Sequence, residues 1–144
     1  MKKSGFQEIR LGYESSSSSF HAEHDDKFLK DDIYRVVEIL GKAGFLKNNI
    51  TAYVLGGLPE QHWQDVKRSI KTASDTGIRV SLAEYSPVPG TVLWQKSTEL
   101  CPFPLEKEPL FHNNSFFPMK WEGYTVENMK YLKSMVRKLN KDNC

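Results

Sequence analysis

Cysteine is scarce in this chain. Cys101 and Cys144 are the only two in 144 residues, which leaves neither a disulfide framework nor a thiolate metal pattern. Two free thiols suit a reducing compartment, and chance would leave as many. Long apolar runs are also missing. Nothing approaches the roughly 18 consecutive apolar residues of a membrane helix, and the opening MKKSGFQEIR has no apolar core for a secretory leader. An excess of one charge is lacking too, because 20 Lys and Arg are interspersed with 18 Asp and Glu for a formal net charge of +2. Lys and Arg cluster only modestly, near the two ends, so a nucleic-acid surface gains little support. Neither G-x-G-x-x-G nor a Walker lysine occurs, which argues against a phosphate-cradling loop. These absences describe a cytoplasmic protein with no membrane span and no nucleic-acid partner.

What is present amounts to about one domain. With 39% hydrophobic and 26% charged residues, the chain can bury a real core. ITAYVLGGLP, residues 50–59, is rich in β-formers and breaks off at Gly56, Gly57 and Pro59, the pattern of a buried strand turning into a helix. The following helix is expected to begin near Pro59 or Glu60, to bury Trp63, Val66, Ile70 and Ala73, and to end at Gly77. A second strand lies before it, FQEIRLGYES, and a third after it, IRVSLAEYSP. If the three are parallel neighbours, their polar or turn-rich ends share one rim, where α/β proteins bind ligands.

Phe6 to Glu14 sets Ile9, Leu11 and Tyr13 on one face against Arg10, Gly12 and Glu14 on the other. Such charges suit the inner face of a barrel-like sheet, or a solvated edge strand. The serine run at residues 15–19 reads either as a linker or as a strand-to-helix loop offering hydroxyls. His21 and His24 form an HxxH pair without a specified third ligand, so no metal site is assigned and solvated loop histidines are the plainer reading. Between Asp31, a plausible cap, and Gly44, a plausible left-handed stop, Ile33, Val36, Val37 and Leu40 mark one apolar helix face. Phe45 is then expected to fold back onto the last turn.

The PVPGT segment after the third strand forms a stiff loop that either holds Glu84 and Tyr85 on the rim or is a purely structural turn. Residues 92–100 form a short helix with Leu93 and Trp94. Residues 101–118, with four prolines, make an irregular covering loop in which His112, Asn113 and Asn114 either contact a ligand or cap local turns. Thr125 caps a last helix with Val126, Met129, Leu132 and Val136 inward and Lys130, Lys133, Arg137, Lys138 and Lys141 toward solvent. The expected organisation is a half-barrel of β/α units over residues 1–94, with residues 95–144 as the irregular cover and a C-terminal helix on the same domain.

Taken in order, LGYESSS, a helix ending KAGF, AYVLGGLPEQ and LAEYSPVPGTVLW resemble the later half of the radical S-adenosylmethionine (SAM) enzyme core, especially members often paired with a cobalamin-binding domain. EPLFHNN is similar, less distinctively, to a later element of that core. The resemblance spans about residues 8–94 and implies an α/β fold: a partial (β/α) barrel, three parallel strands alternating with helices, the C-terminal half of a (β/α)6 barrel. It implies SAM at the upper rim. Glu14 and Ser15 match the position facing the ribose or amino-acid part of SAM; Gly57, Pro59 and Gln61 match the motif near the adenine, with Glu60 replacing the usual glycine. Glu84 and Tyr85 match a strand end near SAM or substrate. The family's C-x-x-x-C-x-x-C motif, which holds its [4Fe-4S] cluster, has no counterpart here, so the chain alone is not expected to cleave SAM. The resemblance therefore implies a part of a radical SAM iron-sulfur oxidoreductase acting on a small-molecule substrate. The cluster, and cobalamin in members that use it, would belong to a full-length enzyme. An alternative is a non-catalytic α/β binding or assembly module. Either way the partner is a missing N-terminal half-barrel or a second copy met through exposed strand edges.

Overall fold

The computed structural model describes residues 2–14, 32–113 and 117–143. Ser15 and the serine run, His21, His24, Asp31, Asn114 and Cys144 lie outside them, as does the side chain of Glu14. Strands β1 (Ile9–Glu14), β2 (Ile50–Gly56) and β3 (Arg79–Glu84) alternate with helices α1 (Asp32–Lys42) and α2 (Trp63–Asp75). Helices α3 (Trp94–Leu100) and α4 (Val126–Asp142) follow. The sheet order is β1-β2-β3 and both pairings are parallel, as βαβ crossovers require. The α/β expectation of parallel strands alternating with helices therefore holds.

Each element follows its local pattern. In β2, Ile50, Ala52 and Val54 are fully buried beneath the helices, while Thr51 and Tyr53 point to the opposite, inner face and are half-exposed. Helix α1 buries Ile33, Val37 and Leu40. It closes as expected at Gly44, with φ +91, where the Gly44 amide donates to Gly41 and the Phe45 amide to Leu40, leaving Phe45 only 3% exposed. Helix α2 buries Val66, Ile70 and Ala73 and stops at Gly77, with φ +81.

Thr125 caps α4 through a reciprocal box. Its Oγ1 accepts from the Asn128 amide at 3.2 Å, and its own amide donates to Asn128 Oδ1 at 3.0 Å. Leu132 and Val136 of α4 join the main core. Cys101, Leu105 and Met119 form a smaller apolar cluster, with Tyr85 and Trp94 packed against it.

The free side of β3 is not left bare. Asn140 of α4 accepts from the Val80 amide at 2.9 Å and donates to the Val80 carbonyl at 2.8 Å, satisfying both groups that a further strand would use. Asn143 donates to the Ile78 carbonyl at 3.2 Å. Of the two open edges expected from the sequence, the one on β3 is thus partly closed by the chain's own last helix. On β1, no strand pairs with the outer side among the described residues.

Candidate functional site

The three strands end on one lip. Gly56 is in register with Glu84, and Glu14 with Val54, after a register shift between Gly12 and Glu14. The turn that follows β2 is shaped by one side chain. Gln61 Oε1 accepts from the amides of Gly57 at 2.9 Å and Leu58 at 3.2 Å, and its Nε2 donates to the Leu55 carbonyl at 3.1 Å. Three backbone groups at a strand end are satisfied without a further strand or helix turn. Gly57 occupies the left-handed region at φ +89, which glycine enters at little steric cost.

Helix α2 begins at Trp63 with His62 as its cap, not near Pro59 or Glu60 as the sequence suggested. The reason is local. Glu60 also has a left-handed backbone, φ +63, which no α-helix continues through, and Gln61 is committed to the turn. Glu60 is the position where the resembling motif carries glycine, and its exposed carboxylate instead meets Lys96 Nζ at 3.0 Å.

Beneath the lip sits Tyr124, fully buried, with its hydroxyl lacking a hydrogen-bond partner. A Cβ on Gly56 would lie 2.6 Å from that oxygen, so the second glycine-like requirement here is close approach, not backbone angle. Burial, and then the nearby Glu84 charge, push the Tyr124 pKa well above the ordinary phenol range.

Glu84 continues the alternation of Val80 and Leu82 and forms an ion pair with Lys133 of α4. Lys133, expected to face solvent, is therefore half-buried against the rim. Tyr85 closes the lip through its main chain, donating to the Gly56 carbonyl at 2.9 Å. Its ring turns into the smaller cluster, where the hydroxyl lies 3.3 Å from Ser97 Oγ. The structure thus brings Gly57, Pro59, Gln61, Glu84 and Tyr85 to one rim with the backbone of Glu14, and Ser15 lies outside the described residues. Tyr124 and Lys133 were not legible as rim residues. The adjacent glycines were the one hint that something bulky approaches.

Among the described residues no group of three or more His, Cys, Asp and Glu side chains is placed to hold a metal. The donor set does not fit an iron-sulfur cluster. Cys101 is buried, its thiol donates to the Pro118 carbonyl at 3.2 Å, and burial raises its pKa, all of which disfavour the thiolate a cluster needs. No helix of the described residues is long and apolar enough to cross a membrane.

No protein-family profile matches the sequence, and no curated protein matches it. Among solved structures, the chain is similar to coproporphyrinogen III oxidase (HemN) from Escherichia coli, described as a radical SAM enzyme. The superposition has a TM-score of 0.66 at 11% identity and covers 96% of this chain but 28% of that one. The likeness concerns the barrel and carries nothing about a cobalamin-binding domain. The fold of this chain matches part of a radical SAM barrel.

Proposed function

We propose that this chain is the C-terminal part of a radical SAM iron-sulfur oxidoreductase-like enzyme and contributes the SAM- and substrate-facing rim of the barrel. The observation that carries the reading is the parallel register that puts the ends of β1, β2 and β3 on one lip, with a Gln61-clamped glycine turn at its centre. In this reading Gly57, Pro59 and Gln61 shape the surface for the adenine. Glu14 and Ser15 face the ribose or amino-acid part, and Glu84 and Tyr85 border the substrate. Glu84 is held by Lys133, and Tyr85 takes part through its main chain, since its ring is committed below. The [4Fe-4S] cluster would come from residues that this chain does not contain. The protein it completes is the missing half-barrel, and β1 offers the edge for it.

The poor fit of its cysteines to a cluster favours a second reading, a non-catalytic binding or assembly module that keeps the scaffold without the chemistry. Equilibrium dialysis with labelled SAM separates the two. Binding that falls tenfold or more in Gln61→Ala supports the rim. No measurable binding by the native chain supports the module. Iron and sulfide reconstitution of the chain alone is expected to give no four-iron absorbance after desalting; a persistent band would contradict the assignment of the cluster to another segment. Sedimentation should show self-association through the β1 edge, and a strictly monomeric, well-folded chain would count against edge pairing.

A further inference from the structure

We propose that the foot of the sheet's inner face binds a compact, multiply charged oxyanion, either a di- or tricarboxylate or a phosphorylated small molecule. This goes beyond the reading of the rim and does not depend on it. Arg10 pairs in register with Thr51, and Thr51 with Arg79, so two guanidinium side chains flank one hydroxyl on the same face. They stand two strand spacings apart, roughly 10 Å, which the reach of two arginine side chains can close around one ligand. The rim's strand ends lie about 17 Å away, five residues along β3, and Lys133, paired with Glu84, stands between the two places.

The layer opens into a groove of about 410 Å³ lined by four cations, Arg10, Arg79, Lys133 and Arg137, and one carboxylate, Glu8. Lys133 is already paired with Glu84. Glu8 sits 3.7 Å from Arg10 with both side chains about two-thirds exposed, a contact that water screens heavily. Arg79 and Arg137 have no ion-pair partner among the described residues. Hydroxyls of Thr51, Tyr53 and Ser81 also line it, beside Asn140 and apolar Val80, Leu82 and Val136, and the Tyr53 hydroxyl accepts from Arg10 Nη1 at 3.4 Å, which holds that guanidinium over the groove. Arg10 and Arg79, either side of Thr51 on a rigid sheet, present two like charges to one concavity, and an oxyanion that accepts forked hydrogen bonds from both offsets their repulsion. Two guanidinium groups without an ion-pair partner among the described residues, Arg79 and Arg137, thus share a concave face furnished with hydroxyls.

The test titrates the 144-residue chain with citrate and, separately, pyrophosphate, against chloride at matched ionic strength, by calorimetry and thermal unfolding. Saturable one-to-one binding with a rise in Tm is expected. A response to citrate alone assigns carboxylate chemistry, and one to pyrophosphate alone assigns phosphate. Arg10→Ala and Arg79→Ala should each weaken binding about tenfold, the loss expected of one charge-assisted contact. Both side chains are exposed, so folding should survive and is checked by circular dichroism. Lys71→Ala, on the exposed side of α2, should change nothing. The proposal is overturned if neither anion binds beyond chloride, or if Lys71→Ala weakens binding as much as the arginine variants. It is also overturned if affinity grows with the length of an added oligonucleotide, which would make the face a nucleic-acid surface.

Discussion

Tyr124 carries its hydroxyl into a space that only a glycine at position 56 leaves open, and the two residues are best understood together. Gly56→Ala should destabilise the chain by about 1–3 kcal/mol through overpacking. Tyr124→Phe in the same chain should recover part of that loss, as a double-mutant cycle by urea denaturation would measure. Alone, Tyr124→Phe removes a buried, unsatisfied hydroxyl and is expected to be neutral or stabilising by up to about 1 kcal/mol. The pH dependence has a definite sign. Because the folded-state pKa of Tyr124 lies above its unfolded value near 10, stability is unaffected below that value and falls as pH rises past it. The native chain should lose stability in strong alkali faster than Tyr124→Phe does, read as urea midpoints across the alkaline range. Glu60 offers a second residue-scale check. It holds a left-handed backbone costing roughly 1 kcal/mol, so Glu60→Gly should unfold at equal or higher urea in spite of losing Lys96. The sequence showed the two glycines and the odd Glu60, but not Tyr124, which reaches them only through tertiary packing.

At the scale of elements, the apolar stripes of α1, α2 and α4, the Gly44 and Gly77 stops and the Thr125 cap were legible because each is set by neighbours within one or two turns. The start of α2 was not. Proline at the first turn is a general preference, and the three bonds made by Gln61 override it. Lys133 was misplaced for a related reason, since periodicity gives a helix its buried stripe but not what stands beside that stripe. Asn140 is the clearest element-scale prediction. Asn140→Ala leaves the Val80 amide and carbonyl without their partner and should cost about 1–3 kcal/mol. It should also raise the tendency to associate, seen as a larger sedimentation coefficient at equal concentration, because a bare strand edge is a template for pairing.

For the whole molecule, the order strand, helix, strand, helix, strand was readable from hydrophobic runs ending in glycine and proline, and the parallel sheet confirms it. Residues 101–113 were not readable, because their proline-rich aromatic packing follows no period; the stacking of Phe103 on Phe111 at 4.8 Å and the Trp94–His112 contact at 5.1 Å come from tertiary geometry. The chain covers 28% of the solved enzyme whose fold it is similar to, and the proposed function takes its rim as one side of a larger hollow. The account rests on that rim being a ligand surface. The most direct measurement is a titration of the isotope-labelled chain with SAM, followed amide by amide in solution NMR. Saturable shifts at Gly56, Gly57, Leu58 and Tyr85, with Arg10 and Arg79 unmoved, are the predicted result. No shifts at millimolar SAM, or shifts confined to the foot of the sheet, would contradict it.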